Sequence, residues 1–191
     1  MLLNRVQSIV VGFPFEDHQP LISKMHRDRA AQFKERLGWA VKVNKNGEEY
    51  DEYDTEQSTY IICRSGNVEH LGSLRLLPLN LSTMLYDHFF ELASGYQFDM
   101  TKTFECTRFC LEPNLRGSKA RNVSLSLFDK LEEEAIKKDV TSVVAVFEKQ
   151  MLRVYSALGF KPTILNEKTY EGTTIALGQW SLENSGRKHS V

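Results

Sequence analysis

The sequence predicts a mixed α/β fold with one central sheet and helices on both faces. Short apolar segments rich in β-branched residues alternate along the chain with segments of helical period, which is the element order of such folds. The length of 191 residues and the 41% hydrophobic content suit one compact core. We therefore expect a single domain over residues 1–183, followed by a polar tail at residues 184–191.

The N-terminal third is expected to contain a strand, a long helix and a loop. Val6 to Val11 is β-rich and is bounded by Gly12 and Pro14, so residues 6–11 are predicted to form the first strand. Residues 19–37 have a helical period, and Gly38 is expected to end that helix. Residues 39–56 lack a usable period and predict a loop. The apolar face of the helix comprises Leu21, Ile22, Met25, Phe33 and Leu37.

The rest of the chain predicts alternating strands and helices. Strands are expected at residues 59–64, 71–77, 102–111, 142–147 and 173–180, the first two joined by a turn at 65–67. Helices are expected at residues 82–92 and 124–138, and a further helix is expected to end at residues 158–160. The inward face predicted for the helix at 124–138 comprises Leu125, Phe128, Leu131, Ala135 and Ile136.

Charge and cysteine content narrow the class of protein. The formal net charge is -1, so no global basic field favours nucleic acid or an acidic membrane. Three cysteines without a CxxC pair indicate a reducing compartment and buried hydrophobic side chains rather than a metal site. No signal peptide or membrane-spanning run is visible, so we expect a cytoplasmic protein without membrane insertion.

Arg29 is unusual because it lies between Met25 and Phe33 on the apolar face of the predicted helix. A guanidinium there must pair with carboxylates, line a wet cleft or extend its aliphatic stem to the surface. Asp51 and Asp54 follow in the next loop and offer such carboxylates. With aromatic residues nearby, this set could recognise a small ligand that is both zwitterionic and cationic. Core packing of the aromatics and a solvated acidic loop are the simpler interpretations.

Five segments, taken together, resemble one known family. They are RAAQF with KERLGW, GEEYDEYD, GSLRLLP, MLYDHFFEL and ECTRF, in this order and spacing between residues 25 and 111. The pattern is similar to the signature of LuxI-type acyl-homoserine lactone synthases, the autoinducer synthases. Leu79-Asn80, and the absence of Pro after Phe89, depart from the usual pattern and suggest a change in pocket shape.

The resemblance implies a fold and a reaction. The fold is a GNAT-like acyltransferase fold whose central strand is splayed or bulged. The reaction condenses S-adenosylmethionine with a fatty-acyl thioester, carried by acyl carrier protein or coenzyme A. It yields an N-acyl-homoserine lactone, a quorum-sensing signal, and methylthioadenosine. S-adenosylmethionine is a substrate, and no prosthetic group or metal is implied.

The resemblance also implies roles for individual residues. Glu105 matches the position often assigned as the base, with Arg108 as a second catalytic residue; a structural ion pair of Glu105 with Arg108 or Arg75 is the alternative. Glu105 and Arg108 are three residues apart, so a regular strand would direct them to opposite faces, and a bulge is needed if both serve one site. The residues implied to bind S-adenosylmethionine are Arg29, Phe33, Trp39, Asp51, Asp54, Arg75 and Phe89.

The C-terminal part resembles the family only in outline. Ala145 has no hydroxyl for a 3-oxo group, which favours an unsubstituted acyl chain. Residues 116–121, RGSKAR, have an incomplete glycine pattern for a pyrophosphate loop, which favours a carrier-protein thioester. The expected acyl pocket comprises Val143, Ala145, Met151, Leu152 and Tyr155. A carrier-protein patch is expected at Lys119, Arg121, Lys149 and Arg153, with solvated surface charge as the alternative.

Two other functions are consistent with such a fold. A GNAT N-acetyltransferase using acetyl-CoA on an amine would require an intact glycine-rich pyrophosphate loop, which this chain lacks, and gives no reason for Arg29, Trp39 and the two aspartates together. A non-catalytic acyl- or nucleoside-binding module would keep the pocket without turnover.

Overall fold

The computed structural model describes residues 6–182; the predicted tail at residues 184–191 lies outside them. Along the described chain no helix combines the length and the apolar character needed to cross a membrane. The strands are β1 (Val6–Gly12), β2 (Thr59–Ser65), β3 (Glu69–Pro78), β4 (Thr103–Leu111), β5 (Ser142–Glu148), β6 (Thr163–Tyr170) and β7 (Thr173–Ser181). The α-helices are α1 (Gln19–Ala30), α2 (Met84–His88), α3 (Phe90–Ala93), α4 (Gly117–Lys137) and α5 (Met151–Ala157).

The strands form one mixed sheet in the order β1-β2-β3-β4-β5-β7-β6, which confirms the predicted central sheet. β4 and β5 run parallel. The pairings of β1 with β2, β2 with β3, β5 with β7 and β6 with β7 are antiparallel.

The chain divides into two compact units, and the first comprises the described residues up to Leu77 together with Cys106–Lys130. One face of its strands packs on α1, with Leu21, Ile22 and Met25 against Val11, Tyr60 and Ile62. The other face packs on α4, where the Phe109 and Phe128 ring centroids are 5.4 Å apart. A Cβ at Gly72 would lie 2.8 Å from Val123 Cγ1, so only glycine permits the close approach of α4.

The second unit comprises Pro78–Glu105 and the described residues from Leu131 onward. Val144 and Leu177 pack on α2 and α3 through Leu85, Leu92 and Ala93. On the opposite face of β5, Phe147 contacts Tyr155 of α5, with ring centroids 5.1 Å apart. Each unit, taken by itself, therefore carries helices on both faces of its strands.

The pairing of β4 with β5 is short. Their parallel pairing runs only from Thr103↔Ser142 to Glu105↔Val144. Beyond that point β4 continues to Leu111, whereas β5 continues to Glu148 in pairing with β7.

The first two predicted helices differ in detail from the observed ones. The helix expected at residues 19–37 is α-helical only to Ala30 and continues as a π-helix over Ala31–Arg36. Gly38 ends it with a φ of 68°, as predicted. The helix expected at residues 82–92 is interrupted at Phe89, whose ψ of 26° leaves the helical region.

Two further predictions were incomplete or wrong. β6 was not predicted, because charged residues break the apolar alternation of this edge strand. It joins β7 through Glu171 and Gly172, whose positive φ values of 48° and 85° suit a type I′ hairpin turn. Ile136 was predicted to face inward but is 67% exposed, because it lies in the last turn of α4 beside the buried Ala135.

Candidate active site

Arg29 on α1 is paired with carboxylates inside the first unit and does not extend to the surface. Its side chain is 1% exposed. Nη1 and Nη2 donate to the two oxygens of Asp54 at 2.8 and 2.9 Å, and Nε donates to Glu49. This bidentate geometry is the strong form of an arginine–carboxylate pair. Of the three possibilities for Arg29, pairing with carboxylates is the one that the structure shows.

Arg75 on β3 is equally enclosed and holds the same loop from the other side. Its side chain is 0% exposed. Nη1 and Nη2 donate to the two oxygens of Asp51, and Nη1 also donates to Asp54 at 2.7 Å. Nε donates to Thr107 Oγ1 at 3.0 Å. Arg75 thus clamps both aspartates of the loop.

Arg108 on β4 completes the arrangement. Its Nη2 lies 3.0 Å from Glu49 Oε1 and 2.7 Å from Asp51 Oδ2. Glu49, which is completely buried, therefore bridges Arg29 and Arg108. We call this network of Arg29, Glu49, Asp51, Asp54, Arg75 and Arg108 the charged cluster.

The charged cluster is neutral overall, since three guanidinium groups balance three carboxylates. Desolvation is the largest influence on Asp54 and raises its pKa, but the ion pairs with Arg29 and Arg75 outweigh it and hold that pKa well below its usual range. Burial also raises the pKa of Asp51, and Arg75 and Arg108 more than reverse that effect. Both carboxylates are therefore charged at neutral pH.

The backbone of β4 changes direction at Arg108. Thr107 and Arg108 are consecutive, yet both side chains reach the charged cluster, which a regular strand does not allow. Arg108 has a φ of 53°, in the left-handed region that non-glycine residues rarely adopt. This irregularity follows the pattern of a bulge, which turns an extra side chain toward a site.

The π-helix after α1 shapes the aromatic part of the site. Its wide turn ends with Trp39 N–H donating to the Phe33 carbonyl at 2.8 Å. The two rings consequently stack, with centroids 5.0 Å apart and planes 20° apart. The Arg108 guanidinium lies 5.4 Å from the Phe33 centroid. Phe33 is buried, whereas Trp39 is 39% exposed and can offer a face to a ligand.

His26 fastens the acidic loop to α1. Glu49 N–H donates to the His26 carbonyl at 3.1 Å, and the His26 ring nitrogen Nδ1 lies 2.7 Å from the Glu49 carbonyl oxygen. A carbonyl oxygen can only accept, so Nδ1 carries the proton. The Tyr50 ring stacks on the imidazole at 3.7 Å. Burial, reinforced by Arg29, lowers the pKa of His26 to about 4.

We expect this histidine to make folding stability sensitive to mild acid. In the unfolded chain the His26 imidazole takes up a proton near pH 6.5, whereas in the folded protein it does so only near pH 4. The free energy of unfolding is therefore highest above pH 6.5 and decreases as the pH falls from 6.5 toward 4. The protonation of this histidine should lower the free energy of unfolding of the wild type by about 2 kcal/mol between about pH 7 and about pH 5. His26→Gln should remove this decrease, which urea unfolding at the two pH values measures. His88→Gln, at an exposed position on α2, is the control. An unchanged pH profile in His26→Gln would refute this assignment.

Of the residues predicted for catalysis or S-adenosylmethionine binding, two belong to the second unit. Glu105 is buried on β4 and is paired with Val144, where the pairing of β4 with β5 ends. Phe89 is half-buried at the break between α2 and α3, and its ring lies 6.2 Å from that of Tyr170. Their roles toward a substrate of the charged cluster remain predictions.

The predicted acyl and carrier residues differ in exposure. Val143, Ala145 and Tyr155 are buried, and Met151 and Leu152 are half-buried. Lys149 pairs with Glu167 at 2.6 Å. All four residues of the predicted carrier-protein patch are exposed: Lys119, Arg121, Lys149 and Arg153. Among residues 6–182, no group of three or more His, Cys, Asp or Glu side chains is arranged to hold a metal ion.

Sequence reasoning missed several members of the site. Glu49 was predicted only as part of an acidic loop. The three arginines and two aspartates of the predicted site leave one positive charge unbalanced, and this is a signal for a third carboxylate. Tyr60 donates its hydroxyl hydrogen to Asp54, and Thr107 accepts from Arg75. The alternation of β2 and β4 allows such contacts but does not identify the partner.

Comparison with known proteins points to one family. The family model described as autoinducer synthase matches residues 15–187. An acyl-homoserine-lactone synthase of Rhizobium etli is 35% identical over 172 residues, covering 87% of this chain and 80% of the relative. One from Agrobacterium fabrum is 30% identical over 168 residues, covering 85% and 79%.

Solved structures agree on the fold. The acyl-homoserine lactone synthase LasI superposes with a TM-score of 0.78 at 24% identity, covering 93% of this chain and 91% of LasI. BjaI, a CoA-dependent synthase solved with SAM and isopentyl-CoA, gives 0.82 at 20% identity, covering 94% and 85%. The GNAT-like fold is thereby established. The chain belongs to the autoinducer synthase family and is an acyl-homoserine-lactone synthase, an acyltransferase.

Proposed function

We propose that the charged cluster and the Phe33–Trp39 pair bind S-adenosylmethionine, and that the enzyme joins its methionyl amine to a fatty-acyl thioester. The observation that carries this proposal is the closed network of three guanidinium groups and three carboxylates beside a half-exposed aromatic ring. BjaI was solved with SAM, and TofI with methylthioadenosine (MTA) and an inhibitor, which supports the substrate class.

The members of the cluster divide into positioning and contact residues. The guanidinium groups of Arg29 and Arg75 are fully enclosed and are occupied by carboxylates of this chain, so they hold the loop in place. Asp51 and Arg108 retain side-chain exposures of 11% and 9% and lie at the edge of the cluster. They are the charged groups suited to the amine and the carboxylate of a zwitterion, while Trp39 suits the sulfonium.

The reaction needs a base, an oxyanion site and a leaving group. Glu105 takes the proton from the methionyl amine, whose nitrogen attacks the thioester carbonyl and expels the thiol as the amide bond forms. Backbone N–H groups of a strand at the active site stabilise the oxyanion. The methionyl carboxylate then attacks the carbon bonded to the sulfonium, closing the lactone and releasing neutral methylthioadenosine.

The acyl donor is a thioester of acyl carrier protein or coenzyme A, and the reaction takes place in the cytoplasm. The exposed basic residues of the carrier-protein patch suit an acidic carrier protein or a phosphate group. All three cysteines are free thiols, as expected for a reducing compartment.

One assay tests this function. The purified protein is incubated with S-adenosylmethionine and matched acyl-carrier-protein and acyl-CoA thioesters, and products are identified by mass spectrometry. We expect an acyl-homoserine lactone and methylthioadenosine in equal amounts. Acylation of other amines from acetyl-CoA, without lactone, would instead support the N-acetyltransferase alternative. Binding of both substrates without turnover would support the non-catalytic module.

A further inference from the structure

Two small residues, one on β5 and one on β7, lie side by side on one face of the sheet in the second unit. Strand alternation puts Val143, Ala145 and Phe147 on the same face. The register with β7 places Ala145 beside Gly178 and Val143 beside Trp180. Ala145 and Gly178 therefore lie side by side and present little side-chain bulk on this face of the sheet.

The ring of Phe147 lies over Gly178. A Cβ at Gly178 would lie 2.7 Å from Phe147 Cε1, closer than real Cβ contacts allow, and 3.0 Å from Pro162 Cβ. The ring therefore rests directly on the glycine backbone.

Three further aromatic residues lock Phe147 in place. Tyr155 contacts Phe147 and Trp180 edge-on, with centroids 5.1 and 5.3 Å apart. Trp180 stacks on Phe160 at 5.3 Å and donates its Nε1–H to the Phe160 carbonyl at 2.8 Å. We call Phe147, Tyr155, Phe160 and Trp180 the aromatic wall. Its members are all buried, and interlocked rings of this kind resist displacement.

We infer that the aromatic wall restricts the acyl donor to short chains, such as butanoyl and hexanoyl thioesters. This inference rests on the proposed function, with the acyl group lying over Ala145. The pairing of β5 with β4 ends at Val144, and Phe147 is three residues further along β5, which is about 10 Å. A fully extended dodecanoyl chain is longer than this distance and meets the rings of Phe147 and Tyr155.

The wild-type enzyme gives the first test. We measure kcat/KM for lactone formation with butanoyl, hexanoyl, octanoyl, decanoyl and dodecanoyl thioesters on the same carrier. We expect the highest values for the two shortest chains and a loss of at least about tenfold for the two longest. This series needs no variant, so it decides the question even if a substitution in the wall prevents folding.

Variants of the wall give the second test. Phe147→Val and Tyr155→Leu should raise the decanoyl-to-hexanoyl ratio of kcat/KM by about tenfold or more, because each opens space beyond Ala145. Phe98→Leu is the matched control, because Phe98 packs on the opposite face of β5 with Val144. It should leave the ratio unchanged.

The outcomes separate this inference from the function on which it rests. Equal or greater wild-type activity on decanoyl and dodecanoyl thioesters overturns the short-chain assignment and leaves the synthase function intact. An unchanged ratio in folded wall variants that retain hexanoyl activity overturns it as well. Absence of lactone from every thioester is a failure of the proposed function itself.

Discussion

Replacing Arg29 with alanine is expected to lower the free energy of unfolding by about 3–5 kcal/mol and to abolish lactone formation. The substitution leaves Glu49 and both oxygens of Asp54 without their main partner in a buried environment. An unpaired buried carboxylate must be hydrated or protonated, and either change moves the loop that carries Asp51. Urea unfolding and a product assay measure the two effects.

The same helix offers a matched control. Arg27 is exposed and lies 3.6 Å from Glu48, so Arg27→Ala should change the stability by no more than about 0.5 kcal/mol and leave activity unchanged. Arg29→Lys keeps the charge but cannot span Glu49 and Asp54 as the planar guanidinium does, so it should recover only part of the stability. Wild-type stability in Arg29→Ala would mean that the charged cluster does not hold the loop.

Replacing Glu105 with glutamine is expected to reduce kcat by about 10²- to 10⁴-fold, because the amide cannot accept the amine proton. The shape of the side chain is conserved, so the affinity for S-adenosylmethionine measured by calorimetry should stay close to that of the wild type. If Glu105 is the base, the substitution lowers kcat alone. If Glu105 is a structural ion-pair partner, the substitution also lowers the free energy of unfolding, because a buried partner is lost.

Glu112 provides the comparison for Glu105. It follows the end of β4 and its carboxylate accepts from Asn114, so Glu112→Gln should retain full turnover. Undiminished product formation by Glu105→Gln would remove Glu105 as the base. A large fall in unfolding free energy with little change in kcat would assign it to structure instead.

Sequence reasoning was most successful where a charge stood in a place that a soluble fold cannot tolerate alone. For Arg29, between Met25 and Phe33, the sequence left open pairing with carboxylates, a wet cleft and extension to the surface, and Asp51 and Asp54 were the carboxylates available in the next loop. The structure shows Asp54 on Arg29, with Arg75 clamping both aspartates. Such pairings are predictable because the electrostatic cost of an unpaired buried charge is large.

Features that depend on contacts between distant segments were less accessible. Glu49 looked like any residue of an acidic loop until Arg108 on β4 was placed beside it, 59 positions later in the chain. The π-helix was also hidden, since local apolar period does not distinguish it from an α-helix. Phe147 was predicted only as part of a buried strand, and its contact with Gly178 depends on the register with β7.

A crystal structure with S-adenosylmethionine bound would show whether the charged cluster is the substrate site. We expect the sulfonium against the exposed face of Trp39, with the methionyl amine and carboxylate in hydrogen-bond contact with Asp51 and Arg108. Arg29 and Arg75 should keep their present carboxylate partners. A ligand bound elsewhere, with no contact to Trp39, Asp51 or Arg108, would contradict the assignment of this cluster as the substrate site.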